Sequence, residues 1–175
     1  MRVIFLDVDG VITYKSYHNS ITYNIDIEKV KLLKQIVENT NAQIVLSSSW
    51  KQGYNKATSE KDDYYIALEN TLAECNLSIL DITDDIYLNV LNSDEVIDFS
   101  DLDILVIEHG TGRGAEIEKW INDHNVDSYV ILDDEYWDWK DYNMESHWVQ
   151  SSWYDEDGGL HQEHVEKAIK ILNNL

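Results

Sequence analysis

Four residues, Asp7-Val8-Asp9-Gly10, follow the apolar run Val3-Ile4-Phe5-Leu6 and constrain the fold more than any other feature of the chain. A short continuous apolar run is typical of a central parallel strand covered on both faces. The carboxylates of Asp7 and Asp9 point the same way while the backbone stays extended, and Gly10 lets the chain turn away. Two like charges this close predict a bound metal or acid chemistry. The alternative is a strand that simply ends in solvated acids.

Apolar runs that alternate with helical periodicity predict a three-layer α/β fold with a central, mostly parallel sheet. Beyond residues 3–6, strands are predicted at 44–46, 77–82, 104–107, 129–132 and 147–149. Helices are predicted after the cap Asp26, at 61–75 with Ser59 as a candidate cap, from Gly112 onward, and at 160–175. We expect a single domain over 1–175, with a short hairpin or flap at 11–24 and a small acidic insertion around 84–103.

The charge balance limits the partners that the chain can have. Its 175 residues carry 34 acids against 13 bases, a formal net charge of -21, while 43% are hydrophobic, as in a globular protein. Such a surface repels nucleic-acid backbones and anionic membranes over most of its area. We therefore expect no membrane contact and no extended nucleic-acid binding. One cysteine and no membrane-length apolar run favour a reducing, cytoplasmic location.

Polar side chains follow three of the predicted strands. Asp7 and Asp9 follow the first, Ser47-Ser48 the second, and Asp133-Asp134 the strand at 129–132. In a parallel sheet these ends meet at one crevice if the strands are neighbours. The carboxylates then favour Mg²⁺, and the serines can donate to phosphate oxygens. Arg113 between two glycines at a helix start adds a fixed positive charge.

In their order along the chain these motifs resemble those of the haloacid dehalogenase (HAD) superfamily of phosphohydrolases. The matching residues are Asp7-Val8-Asp9-Gly10-Val11, Ile44-Val45-Leu46-Ser47, Arg113 and Val130-Ile131-Leu132-Asp133-Asp134. Three further stretches resemble the small phosphatase domains of nucleic-acid repair proteins, such as polynucleotide kinase 3′-phosphatase: Leu46 to Lys51, Gly112 to Ile117, and His147-Trp148-Val149. The resemblance implies a Rossmann-like fold with a small or absent cap.

The resemblance also implies a mechanism and a set of site residues. Asp7 is then the nucleophile that forms an aspartyl phosphate, and Asp9 is the general acid and base. Mg²⁺ is held by Asp7, the backbone carbonyl of Asp9, and Asp133. Asp134 is a further partner of the ion, either directly or through water. The phosphate is bound by Ser47, Ser48 and Arg113. Many relatives have Gly-Thr where this chain has Gly10-Val11, so a supporting hydroxyl is missing at that position.

The implied activity is Mg²⁺-dependent hydrolysis of a phosphomonoester on a small molecule or at a nucleic-acid terminus. A different class, an acidic inhibitor that mimics nucleic acid, is also consistent with the charge of -21. Structural alternatives exist for single residues: Ser47 in a turn, Arg113 in a surface ion pair, Asp134 as a cap. Further candidates for substrate contact are Lys15, Lys51, Trp137 and Trp139.

Overall fold

The apolar run near the N-terminus forms the middle strand of a parallel sheet in the computed structural model of the protein, which describes residues 1–85 and 112–174. The strands are β1 (Arg2–Leu6), β2 (Gln43–Leu46), β3 (Ile79–Ile82), β4 (Ser128–Asp133) and β5 (Trp148–Gln150). The helices are α1 (Ile27–Thr40), α2 (Asp63–Glu74), α3 (Arg113–Asp123) and α4 (Gln162–Leu172). The order across the sheet is β3-β2-β1-β4-β5, and every pairing is parallel. The predicted α/β fold is therefore confirmed.

Alternate residues of the strands pack on opposite faces of the sheet and create two apolar cores. Ile4 and Leu6 of β1 face a large core that is completed by α1, α2 and α4. Val3 and Phe5 face a smaller core completed by α3, whose Trp120 ring contacts the Phe5 ring edge-on at 5.6 Å. Because both faces of the sheet are covered, β1 is apolar from Val3 to Leu6, and only Arg2 at its exposed start is charged.

Several predicted elements are present with different ends. Helix α2 begins at Asp63, not at Lys61, because Lys61 is extended and bridges to Tyr54. Ser59 is not its cap and lies in a turn with a φ of 61°. Strand β3 begins at Ile79, because the backbone N–H of Leu77 still closes α2 by donating to the carbonyl of Leu72.

The C-terminal elements also differ from the prediction in where they begin and end. His147 belongs to a 3₁₀ turn, and its ring stacks on Tyr129, so β5 covers Trp148–Gln150. Helix α4 ends at Leu172, shortly before Asn174, which has a left-handed φ of 55°.

The other expectations concern the loops. Residues 11–24 form successive turns with no hairpin, and the only bridge described there joins Asp9 to Thr13. Of the acidic segment predicted at 84–103, only Asp84 and Asp85 belong to the described residues, and the strand predicted at 104–107 lies outside them. Across 1–85 and 112–174, no helix has the length and apolar character needed to span a bilayer.

Candidate active site

The sheet topology gathers the polar strand ends at one edge. The chain adds β2 and β3 on one side of β1 and later adds β4 and β5 on the other, so the strand order reverses beside β1. Ligands of open α/β sheets bind in the crevice beyond the carboxyl strand ends at such a point. The backbone N–H of Asp7 donates to Leu132 of β4 at 2.9 Å, and that of Ser47 donates to Leu6 of β1 at 3.0 Å. Asp7 therefore lies between the ends of β4 and β2.

Three carboxylates meet at this point. Single oxygens of Asp7, Asp133 and Asp134 lie within 4.8 Å of one another. Asp7 and Asp133 are buried, and Asp134 is half-buried. Gly10, at a φ of +74°, makes the approach of Asp134 possible, since a Cβ there would lie 2.2 Å from its carboxyl carbon. Oxygen donors grouped this closely suit a hard divalent cation such as Mg²⁺.

Arg113 is the one cation in direct contact with this group among the described residues. Its Nη1 lies 2.8 Å from Asp7 Oδ1 and 2.5 Å from Asp133 Oδ2. Arg113 begins α3, whose cap residue Gly112 has no side chain to offer. Asp138 caps the helix instead, by accepting from the backbone N–H of Gly114 at 2.7 Å. A loop after β4 thus fixes the start of α3 and with it the position of Arg113.

Burial raises the pKa of each carboxyl in the group, and neighbouring carboxylates add to the rise for Asp7 and Asp134. Burial, together with the charges of Asp133 and Asp9 and against the opposing effect of Arg113, raises the pKa of Asp7 to about 7. Burial, and then the charge of Asp133, raises the pKa of Asp134 to about 6. Burial also raises the pKa of Asp133. Burial alone would lower the pKa of Arg113, but Asp7 and Asp133 raise it above its ordinary value.

The carboxylate of Asp9 has its own partners and is half-buried beside the group. Its Oδ2 accepts from Trp50 Nε1 at 2.9 Å, and its Oδ1 accepts from Thr13 Oγ1 at 3.0 Å. The hydroxyl that is missing at Val11 is therefore supplied two residues later by Thr13. The sequence analysis did not identify Thr13 or Trp50, and the signal available was their position beside the two strand-end motifs.

The serines after β2 occupy three different environments. Ser47 is buried, and its Oγ is the only buried side-chain polar atom without a hydrogen-bond partner in the described part of the chain. Ser48 caps the following 3₁₀ turn by accepting from the backbone N–H of Trp50 at 3.3 Å, and its hydrogen bond to Asp7 favours the charged form of that carboxyl. Ser49, which was not among the predicted site residues, lines the cleft.

The cleft over the carboxylates has a volume of about 430 Å³. Its lining residues are Asp7, Asp9, Ser49, Arg113, Asp133, Asp134, Glu135, Trp137, Trp153 and Tyr154. The Arg113 guanidinium lies over the Trp137 ring, 4.7 Å from its centroid. Aromatic rings therefore border a site whose floor is charged.

Two of the further candidates lie away from the cleft. Lys51 is buried, where its ammonium group pairs with Glu116 and donates to Thr83 Oγ1 at 3.1 Å. Trp139 is fully buried in the smaller core. Lys15, by contrast, lies near the rim, with its ammonium group 5.4 Å from the ring centroid of Tyr154.

Comparison with protein-family models gives a match. The match is to a family model described as the HAD domain in Swiss Army Knife RNA repair proteins, and it covers residues 3–165. Comparisons with curated proteins and with solved structures give no match. The family model covers most of the 175 residues, including every site residue named above and every strand residue except Arg2. The chain therefore belongs to the HAD superfamily, as a domain of the type found in Swiss Army Knife RNA repair proteins.

Proposed function

We propose that the protein is a Mg²⁺-dependent phosphomonoester hydrolase that works through an aspartyl phosphate on Asp7. HAD membership implies a phosphohydrolase. The Mg²⁺-dependent mechanism rests on one observation, the group of Asp7, Asp133 and Asp134 where the strand order reverses. Arg113 lies between two of these carboxylates. Carboxylates beside a guanidinium provide the two things that phosphoryl transfer requires: a place for a metal ion and a donor for phosphate oxygens.

The residues present fit Mg²⁺. Oxygens of three carboxylates lie within 4.8 Å of one another, and among the described residues only Arg113 pairs with any of them, so negative charge exceeds positive charge in the group. Asp7, Asp133 and Asp134 would hold the ion together with the backbone carbonyl of Asp9. When bound, Mg²⁺ supplies positive charge that offsets the repulsion between the nucleophile and the phosphate.

Asp7 provides the nucleophile. It is the first residue after β1, and the hydrogen bond from its backbone N–H to Leu132 fixes it at the cleft floor. A carboxylate oxygen of Asp7 bonds to phosphorus while the bond from phosphorus to the leaving oxygen breaks. Water then attacks the phosphorus of the aspartyl phosphate, which releases inorganic phosphate and regenerates the carboxylate.

Asp9 moves the protons of both steps. Its two oxygens are oriented by Trp50 and Thr13, which keeps the carboxyl beside the nucleophile. In the first step a protonated Asp9 gives its proton to the leaving oxygen, and in the second the resulting carboxylate takes a proton from the attacking water. Asp9 thus ends the cycle in the state in which it began.

Donors around the cleft would bind the transferring phosphate. Arg113 offers a charged, planar donor set, and its position at the start of α3 adds the helix dipole. The hydroxyl of Ser47 is buried without a partner, and a phosphate oxygen would satisfy it. The hydroxyl of Ser48 already contacts Asp7. Ser48 would therefore bind the phosphate through its backbone N–H.

The substrate class we favour is a terminal phosphate on a nucleic acid or nucleotide. The family to which the chain belongs is described from RNA repair proteins. A net charge of -21 opposes binding of a long polyanion, so only the terminal residues would be held. The rate should then depend little on oligonucleotide length, and salt should inhibit only mildly.

A phosphatase screen tests the proposal. Purified protein with Mg²⁺ is offered sugar phosphates, nucleotides, and oligonucleotides phosphorylated at the 3′ or the 5′ end, at low and at moderate salt, with EDTA as the control. We expect Mg²⁺-dependent phosphate release with preference for the nucleotide substrates. Inertness toward the whole panel would overturn the proposal, and preference for a sugar phosphate would overturn the substrate class.

A further inference from the structure

Two aromatic rings at the rim of the catalytic cleft are exposed to solvent. Tyr154 is 76% exposed and Trp137 is 38% exposed, although both line the same cleft as Asp7. Large rings are usually buried because they gain most from leaving water. Exposed rings beside a binding cleft indicate a surface that a ligand covers.

Each ring is held in place by a neighbouring cation. The Arg113 guanidinium lies 4.7 Å from the centroid of Trp137, and Lys15 Nζ lies 5.4 Å from that of Tyr154. The backbone N–H of Lys15 also donates to the carbonyl of Trp153 at 3.0 Å, which ties the flap at 11–24 to the segment that carries Tyr154. The indole of Trp137 donates to Asp133 Oδ1 at 3.3 Å. The rings are thus oriented before any ligand binds.

Although Arg113 and Lys15 contact the rings, five acidic residues line the catalytic cleft, and this excess of negative charge favours an uncharged ligand group. Asp134 and Glu135 line the catalytic cleft, and Asp155 lines the space beyond Tyr154. A second phosphate placed here would meet these acids and be repelled. A flat, neutral π-system would instead stack on the rings without such a penalty, and stacking of this kind accepts any base.

Space for such a group continues past Tyr154. A second cleft of about 650 Å³ shares Trp153 and Tyr154 with the catalytic cleft, as well as Asp134 and Glu135. Both volumes fall in the range of small-molecule sites, roughly 300–1,000 Å³. Tyr154 therefore lies at the junction of the two clefts, where the leaving group of a phosphomonoester would extend from the carboxylates.

We propose that Tyr154 and Trp137 form a stacking site for the nucleobase of the nucleotide that carries the scissile phosphate. The inference rests on the proposed phosphatase function and adds to it the group that is recognised and the residues that recognise it. Tyr154 contacts only the leaving group, whereas Trp137 also orients Asp133 and Arg113. The cleft then binds one base and one phosphate, which agrees with an acidic surface that repels a longer polyanion.

The test compares two substrates that differ only in the base. One is a short oligonucleotide ending in a phosphorylated nucleotide, and the other carries an abasic sugar in place of that nucleotide; each is made in 3′- and 5′-phosphate forms. For the wild-type protein we expect kcat/KM to be about tenfold or more higher with the base, mainly through KM. In Tyr154→Ala this ratio should fall to near one, whereas Tyr154→Phe, which keeps the ring, should retain it.

Two further variants complete the design. Tyr136→Ala removes another exposed tyrosine, which bonds to Glu145 outside the cleft, and should keep the wild-type ratio. Trp137→Phe removes the N–H donor to Asp133 but keeps a ring, so it should lower kcat more than it lowers the ratio. An unchanged ratio in Tyr154→Ala, or an equal loss in Tyr136→Ala, would overturn the stacking site. Failure of the wild-type protein to release phosphate from either substrate would instead overturn the phosphatase function, and the stacking site with it.

Discussion

Two buried charge clusters contact helix α3, and they differ in their balance. In the open cluster, the carboxylates of Asp7, Asp133 and Asp134 meet one cation, Arg113, which pairs with Asp7 and Asp133. In the closed cluster, formed by Lys51 and Glu116, one ammonium group faces one carboxylate and also donates to the Thr83 hydroxyl and the carbonyl of Asp84. Arg113 and Glu116 lie three residues apart on α3, so one turn of helix contributes to both clusters.

The difference separates charges that bind a ligand from charges that hold the fold. Charges in the closed cluster are matched and hydrogen-bonded, as buried ions in a stable interior must be. The open cluster carries more negative than positive charge, and it lies at the floor of a cleft. Buried carboxylates that Arg113 alone does not neutralise support the proposed Mg²⁺ site at this cluster. The predictions below follow from this contrast.

The largest effect is expected from Asp7→Asn. The amide is a poor nucleophile, so turnover should fall by at least about a thousandfold while the protein stays folded. Phosphate release at saturating Mg²⁺ measures the loss, and circular dichroism verifies the fold. The matched control is Asp127→Asn, which changes an exposed aspartate that pairs with the N-terminal amine and should keep full activity. Substantial turnover in Asp7→Asn would remove Asp7 as the nucleophile.

The next effect concerns the cation that completes the open cluster. Asp133→Ala removes a buried carboxylate from the group, so the Mg²⁺ concentration for half-maximal activity should rise at least about tenfold. A Mg²⁺ titration followed by activity and by thermal shift gives two independent readings. Glu135→Gln is the control, since it lines the same cleft outside the group of three carboxylates. An unchanged Mg²⁺ requirement in Asp133→Ala would make Asp134 the principal ligand.

The contrast between the clusters also explains what could be predicted from the sequence. The strand ends and their polar residues could be predicted, because an apolar run followed by carboxylates or serines is a local sequence pattern. Parallel strands then bring such ends together. Membership of the HAD superfamily was predicted in this way and is confirmed. The meeting of Asp7 and Asp133 depends only on β1 and β4 being neighbours.

Other features depend on tertiary contacts that have no local signature. Lys51 follows the serine motif and was predicted as a candidate for substrate contact, yet its partner Glu116 is 65 residues away and removes it from the cleft. The capping of α3 by Asp138 spans 24 residues. Trp137 was predicted as a candidate for substrate contact, but Tyr154 was not, and the fold places both at one rim. Long-range pairing, and not the residue types, decided these roles.

A smaller effect on activity, with a clear effect on stability, is expected in the closed cluster. Glu116→Gln leaves the Lys51 ammonium group buried without a counter-charge, which should lower the free energy of unfolding by about 3–5 kcal/mol. Activity per folded molecule should stay within about threefold of wild type. Urea unfolding measures the effect on stability, and kcat measured well below the melting temperature gives the effect on activity.

The double variant Lys51→Met with Glu116→Leu is the companion measurement. It removes both charges and fills the space with apolar side chains, so it should recover part of the lost stability. If Glu116→Gln instead lost activity as Asp7→Asn does, the closed cluster would serve the chemistry through α3, and the distinction between the clusters would fail.

The smallest effect is a pH dependence of the metal-free protein that arises from Asp7 in the open cluster. The pKa of Asp7 is about 7 in the folded protein, above the ordinary value of 3.8, so the folded state binds a proton that the unfolded state releases. A raised carboxyl pKa makes stability fall as pH rises from about 4 through about 7. Asparagine resembles the protonated carboxyl at every pH and carries no such penalty.

The measurement is the melting temperature of wild type and Asp7→Asn in EDTA between pH 4.5 and 8, values chosen to span roughly that window. The variant should match wild type at the acid end and melt a few degrees higher at the alkaline end, and excess Mg²⁺ should shrink or reverse that difference. Asp127→Asn should differ from wild type by a nearly constant amount across this window, because the N-terminal amine lowers the pKa of Asp127 below 3.8 and the stability it contributes is lost only at more acid pH. The difference between two variants cancels the general repulsion among the surface acids, which affects both alike. Parallel pH profiles for wild type and Asp7→Asn would mean that Arg113 alone balances Asp7, and that the open cluster is no less satisfied than the closed one.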